Sequence, residues 1–263
     1  MAPQELASVD GEIAPTAETM IPLRDDGLYR GDGVFEVIRL YGGRPFALDA
    51  HLDRLERSAA AIDLPVERHL LEAEIAALLE RNGDADGQLR LIMTRGGRRI
   101  ALIEGLVDWG ETVELATVTY SPSVILTGVK SLSYGANMHA TRIAKARGAE
   151  EALLVRPDGI VLEAPTSTIF WVTAGELRTP ALETGILDSI TRRAIVGDLE
   201  VAEGEFVLAD LLAASEAFLA STTREVQPIS VIDDHRLETG PRTADAQATF
   251  ARVVGEARGA AVR

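Results

Sequence analysis

GVKSLSYGANMHATRIAKARGAEEALLVRPDGIVLEAPTSTIFWV, residues 128–172, is the stretch whose reading decides the fold. It opens on Lys130, set among Val129, Leu132 and Tyr134, neighbours that suggest a partly buried strand. A helical pattern over about 136–147 stops at Gly148. Two apolar runs, EALLVR and IVLEA, flank Pro157-Asp158-Gly159, a turn signature that folds them into a hairpin. The β-rich run TIFWV follows. Strands and helices therefore mix within one short block.

Upstream, GVFEVIRLYGGRPFAL (33–48) reads as a hairpin around Gly42-Gly43. A helix from about Asp49 places Leu52, Leu55, Ala59 and Ile62 on one face. A second, about 66–82, carries Leu70, Leu71, Ile75, Leu78 and Leu79, with Gly83 as its C-cap. Strands are expected at 88–94 and 113–120, and residues 1–20 read as a loose leader with one short strand. SPSVILTGVK (121–130) lacks a period and opens on Ser-Pro, which makes it a linker. Downstream, a helix opens near Ser189, a last strand covers 217–221, and a C-terminal helix spans about 242–258. The class is α+β (mixed α/β), with domains at 1–120 and 131–263 joined by the 121–130 linker.

Composition narrows the function. The formal net charge of −15 argues against nucleic acid and anionic membrane as partners. No cysteine is present, so thiolate chemistry, disulfides and Cys-based metal sites are excluded, and no metal centre is expected. No apolar run reaches the roughly 18 residues that span a bilayer. The N-terminus lacks the basic and apolar regions of a signal peptide, so a cytoplasmic location is expected. Of 26 basic residues only Lys130 and Lys145 are lysines, which limits the candidates for an amine nucleophile.

A lone lysine is usually a solvated charge, and Lys145 fits that description. Lys130 fits it less well, and a desolvated amine is a usable nucleophile toward carbonyls. Glu163 ends the IVLE run; it is either a strand-end surface charge or the partner of a cationic ring nitrogen. Ser189 is a natural N-cap that leaves Ile190 and Thr191 presenting amides at a helix start. Ser221, Thr222 and Thr223 offer hydroxyls and amides at a strand end. Arg54, beside Leu52 and Leu55, is a surface charge or a half-buried phosphate clamp. Each alone is ordinary; their order along the chain is not.

RGDGVFEVIRLYGGRPFALDAHLDRLERSA resembles the N-terminal signature of fold-type IV pyridoxal-phosphate enzymes, the class IV aminotransferases. KSLSYGANMHATRIAKARGAEEALLVRPDGIVLEAPTSTIFWV resembles their central signature, and GILDSITRRAI and ASTTREVQPI the two later phosphate-binding stretches. The resemblance covers about 20–235, and Glu163 lies 33 residues past Lys130. It implies pyridoxal 5′-phosphate as cofactor, with Lys130 as Schiff-base lysine and proton shuttle. Glu163 would face the pyridine nitrogen, and Arg54 would hold the phosphate with Ser189, Ile190, Thr191, Ser221 and Thr222. Tyr134 would stand near the ring hydroxyl. It also implies a smaller N-terminal α/β domain, a larger β-barrel-like C-terminal domain with helices, a cleft between them, and a homodimer.

Within the family, Phe35-Glu36-Val37-Ile38-Arg39 lacks the glycine of the branched-chain FEGIR pattern and is closer to the D-amino-acid and R-amine branch and to the aminodeoxychorismate lyases. Gln88-Leu89-Arg90 stands where branched-chain enzymes carry Tyr-x-Arg. Arg98 and Arg99, on a short loop, are candidates for trapping a substrate carboxylate, and Phe35, Arg90 and Thr223 for lining the substrate. Three activities follow: a ping-pong transaminase, an aminodeoxychorismate lyase making 4-aminobenzoate, or a cofactor carrier without catalysis. The transaminase, with an amino donor and a keto-acid acceptor, is the reading preferred here.

Overall fold

In the computed structural model, which describes residues 3 and 5–260, the chain forms two compact units. The first runs to Val107 and takes in Val129–Tyr134 and the chain from Glu256 on; the second holds Asp108–Gly128 and Gly135–Gly255.

The first unit is a six-stranded sheet covered by two helices. Its elements are β1 (Leu6–Val9), β2 (Glu12–Pro15), α1 (Asp26–Arg30), β3 (Gly33–Tyr41) and β4 (Arg44–Pro45). There follow α2 (Leu48–Ala60), α3 (Arg68–Asn82), β5 (Gly87–Thr94) and β6 (Arg99–Glu104). The strand order is β2-β1-β6-β5-β3-β4. Alternation along β3 sends Val34, Ile38 and Leu40 into a core with Leu52, Leu55, Leu71, Ile75 and Leu78 of the helices. The Gly42-Gly43 turn is required by geometry. Gly43 has φ +72°, and a Cβ there would lie 1.9 Å from the Gly83 carbonyl oxygen. α3 ends at Gly83, as its sequence indicated.

Two expectations are corrected here. The leader is a hairpin of two strands, turned at Asp10-Gly11, both at positive φ. The 98–102 stretch is not simply a loop: from Arg99 on it is β6, paired with β5 and β1.

The second unit carries an eight-stranded sheet curled into a half-barrel. Its elements are β7 (Val113–Thr119), α4 (Gly135–Ala146), β8 (Glu151–Val155), β9 (Thr168–Thr173), β10 (Glu176–Pro180) and α5 (Ile190–Asp198). Then come β11 (Ala202–Gly204), α6 (Leu208–Leu212), β12 (Glu216–Ser221), β13 (Glu225–Ile232), β14 (His235–Arg236) and α7 (Pro241–Ala260). The order is β11-β10-β9-β12-β13-β7-β8, with β14 on β13. β7 pairs in parallel with both β13 and β8. β7 and β8 each bury apolar residues on both faces, as parallel strands commonly do. Val113, Leu115, Leu153 and Val155 point into one cluster; Ala116, Val118, Ala152 and Leu154 meet Ala140 and Ala144 of α4 in another.

The strand over 216–221 is therefore not the last, since β13 and β14 follow it. The 151–164 hairpin forms, with Leu162 N–H donating to the Leu154 carbonyl and Leu154 N–H to that of Glu163, both at 2.9 Å. Its second arm is a set of bridges rather than a continuous strand, because Val161 N–H turns away to the Phe206 carbonyl. Among the described residues no helix is long and apolar enough to cross a membrane.

Candidate active site

Several candidate residues of the first unit collect on one stripe of α2 and on the segment around Lys130. His51, Arg54 and Ser58 recur at three- and four-residue intervals, so they share a helical face. All three are buried, alongside Leu52, Leu55 and Ala59. Opposite them β3 delivers Glu36, which is fully buried. Arg54 grips it with both arms of its fork: Nε donates to Oε1 and Nη2 to Oε2, each at 2.7 Å. His51 Nδ1 lies 2.8 Å from Oε2. Burial by itself would raise the Glu36 pKa. The adjacent Arg54 charge and the bonds from Arg54 and His51 more than offset it, holding the carboxyl at about 2. Burial pushes His51 below its ordinary value against the pull of Glu36, and the charges of Arg54 and Lys130 add to the fall. A neutral His51 thus donates from Nδ1. Its Nε2 is buried without a hydrogen-bond partner among the described residues.

Lys130 is half-buried, whereas Lys145 is exposed. Its N–H donates to Ser58 Oγ at 3.2 Å, and its carbonyl accepts from Phe35 N–H at 3.0 Å. The segment continues beside β3 through a Val34–Ser131 bridge and a Leu132 N–H bond to the Gly33 carbonyl at 2.9 Å. The ammonium sits 4.4 Å from the Phe35 ring centroid and 5.9 Å from that of Tyr134. The two rings meet edge-on at 5.2 Å. Lys130, Phe35 and Tyr134 are thus brought together beside β3, the strand that carries Glu36.

The expected substrate arginines of this unit each have a carboxylate partner. Arg90 Nε donates to Glu104 at 2.8 Å, and Gln88 donates to the same oxygen at 3.0 Å. Arg98 pairs with Asp10, which also accepts from Arg99 N–H, while the Arg99 side chain bonds Glu74 at 2.9 Å.

In the second unit, Glu163 is half-buried, and its Oε1 accepts from Leu187 N–H at 3.2 Å. The acid is therefore tied to the loop that leads into α5. Burial, and then the Glu163 charge, push the Tyr120 phenol up. Ser189 caps α5 as its sequence indicated, its Oγ accepting from Arg192 N–H at 3.3 Å. Ile190 and Thr191 then lie in the first turn, where helix amides point outward without intrahelical acceptors. Thr191 is fully buried, and its hydroxyl finds no hydrogen-bond partner among the described residues. In the turn after β12, Ser221 Oγ accepts from Arg224 N–H at 3.3 Å, Thr222 is buried and Thr223 half-buried. The Arg224 side chain, pressed 3.9 Å over the Trp109 ring, bonds Glu151 and Gln227 and fixes that turn from below.

Glu36, His51, Ser58 and Arg224 were not among the expected site residues. The signal for two of them was present: His51 and Ser58 are polar positions in phase with the apolar stripe of α2.

A model of the amino-transferase class IV family matches residues 33–232. D-alanine aminotransferase of Listeria monocytogenes is 31% identical over 280 residues, spanning 95% of this chain and 96% of that enzyme. Aminodeoxychorismate lyase of Bacillus subtilis is 28% identical, spanning 94% of each. The structure of a branched-chain aminotransferase from Thermoproteus uzoniensis, solved with norvaline, superposes with a TM-score of 0.87 at 31% identity, covering 95% of each chain.

Proposed function

The chain belongs to the class IV aminotransferase family, whose members depend on pyridoxal phosphate, and from this we propose a transaminase that carries an amino group from an amino acid or amine to a keto acid. The observation that carries the reading is the setting of Lys130: a half-buried amine over two aromatic rings, pinned to the strand that bears the Arg54-gripped Glu36. A lysine amine held in this way is the group that condenses with a carbonyl.

The residues present fit the cofactor. One amine is available for its aldehyde and one carboxylate, Glu163, for its ring nitrogen. The buried Thr191 hydroxyl and the first-turn amides of the Ser189-capped helix suit a phosphate. When bound, pyridoxal phosphate supplies an aldehyde that exchanges amines and a ring that takes up the electron pair left at the substrate α-carbon. In this proposal Lys130 holds the cofactor at rest, then removes the α-proton and returns it. Glu163 keeps the ring nitrogen protonated. Arg54, Ile190, Thr191 and Thr222, with Ser189 and Ser221 shaping their turns, hold the phosphate. Tyr134 orients the ring hydroxyl, and Phe35, Arg90, Arg98 and Thr223 contact substrate.

D-amino acids and branched-chain amino acids are the proposed donors, on the strength of the Listeria and Thermoproteus enzymes, and R-amines on that of the Phe35-Glu36-Val37-Ile38-Arg39 pattern. The Bacillus lyase supports the second reading, elimination of pyruvate from aminodeoxychorismate, which needs no acceptor. A homodimer is part of the proposal. Met20, Leu23, Leu28 and Tyr29 expose large apolar surface close together in sequence, an arrangement suited to a second copy. A cytoplasmic location accompanies it, since the proposed substrates are free metabolites.

Borohydride reduction in the presence of pyridoxal phosphate, followed by peptide mass analysis, tests the core of the reading. The added mass is expected on Lys130 and absent in Lys130→Ala, while Lys145→Ala keeps it. Label on Lys145 alone refutes the assignment. A donor panel with pyruvate and 2-oxoglutarate, beside a pyruvate-release assay on aminodeoxychorismate, separates transaminase from lyase.

A further inference from the structure

Resting on that reading, we propose that Ser58 is the positioning residue of Lys130. Lysine carries its amine on four rotatable bonds, so a defined amine position demands a fixed backbone beneath it. The backbone of Lys130 is held from two elements at once. β3 holds its carbonyl through Phe35 N–H, and α2 holds its N–H through Ser58 Oγ. Those elements are locked together one turn earlier, where Arg54 of α2 grips Glu36 of β3. The result is a closed ring of interactions: Lys130, Ser58, Arg54, Glu36, Phe35 and back to Lys130. Ser58 closes it.

The placement of the serine supports this role. It is 2% exposed, on the apolar stripe of α2 beside Leu55 and Ala59. Alanine is the better helix former and adds no polar atom to the core, so local structure gives no reason for serine here. The bond to Lys130 N–H does. Lys145, in the last turn of α4, is exposed instead.

The test uses two forms of the cofactor. Lys130 joins pyridoxal phosphate through a new bond from Nζ to the aldehyde carbon, releasing one water. Pyridoxamine phosphate has no aldehyde, so its retention does not draw on Lys130. A loosened lysine therefore weakens one form and spares the other, whereas a merely structural loss weakens both alike. In Ser58→Ala, the dissociation constant for pyridoxal phosphate is expected to rise about tenfold and that for pyridoxamine phosphate to stay within about twofold. The rate of covalent attachment, followed by absorbance, falls with the first. Ser58→Cys keeps the volume but offers a weak acceptor, and is expected to follow Ser58→Ala. Equal weakening of both forms, no change in either, or Ser58→Cys behaving as wild type would overturn the proposal. If wild type attaches the aldehyde at no lysine or at Lys145, the transaminase reading falls, and this proposal with it. If wild type attaches at Lys130 and Ser58→Ala matches it, the Ser58 proposal alone falls.

Discussion

Glu36→Gln removes one charge and almost no volume, and its effect can be worked from the structure. The wild-type carboxyl is fully buried and is held at about 2, against an ordinary value of 4.5. That fall, at about 1.4 kcal/mol per pH unit, amounts to about 3 kcal/mol of folding free energy carried by the ionised form. The sign follows from the direction. The folded-state value is depressed, so the contribution is complete above 4.5 and is lost as pH falls toward 2. The variant forgoes it at every pH and leaves Arg54 buried without its anion, a loss of about 3–5 kcal/mol by analogy with other broken buried pairs. At neutral pH the melting temperature is expected to drop by about 6–12 °C for a chain of this size. The assay is thermal or urea unfolding of both proteins from pH 7 to pH 2. The other carboxylates titrate alike in both, so the difference between the curves isolates Glu36. That difference should be flat above pH 5 and shrink on acidification. A difference that is zero at neutral pH, or constant down to pH 2, refutes an ionised Glu36 in the grip of Arg54.

Two further substitutions probe the frame around the site. Glu216 is buried and accepts from Arg242 N–H (3.2 Å), Thr243 N–H (2.8 Å) and Thr243 Oγ1 (2.7 Å), so it caps α7 from a neighbouring strand. Glu216→Ala should cost about 2–4 kcal/mol in urea unfolding, and a change under about 0.5 kcal/mol would show that the cap is dispensable. Gly43→Ala forces a methyl to within 1.9 Å of the Gly83 carbonyl oxygen at a positive φ. It should lower stability by about 2 kcal/mol or more, and unchanged melting would mean that the turn relaxes freely.

What the sequence made legible was local. The 33–48 hairpin rests on Gly42-Gly43, α3 on its apolar spacing and Gly83, and α5 on Ser189; each signal lies within a few residues of what it shapes. What was missed depends on distant pairing. β13 contains Pro228, which has no N–H for a ladder and breaks the strand pattern, yet Pro228 sits opposite Phe218. β6 begins at Arg99, two residues after Gly97, and so resembles a loop, although Arg99, Ala101 and Ile103 alternate with Ile100, Leu102 and Glu104 as a two-sided strand does. The leader hairpin had a usable signal, Asp10-Gly11 between apolar runs. The candidate site divides in the same way. Lys130, Glu163 and the Ser189 cap announce themselves by residue type and neighbours. Of the Glu36–His51–Arg54–Ser58 set, Arg54 was expected and His51 and Ser58 lie in phase with the apolar stripe, but their joining through Glu36 becomes visible only when α2 is laid on β3.

The parallel alignment of β13 with β7 also constrains how the chain acquires its shape during synthesis. Val113 of β7 emerges from the ribosome long before its partner Ile229 exists. Until Glu225–Ile232 arrives, β7 and β12 each have a ladder edge without its final neighbour. Such edges recruit other strands, including those of sibling chains. The β3–β5–β6 meander has no such wait, since its partners are near in sequence. Nascent chains interrupted before residue 225 should thus carry a formed first meander and a sticky second sheet, which makes Glu225–Ile232 the segment that protects the half-barrel from aggregation.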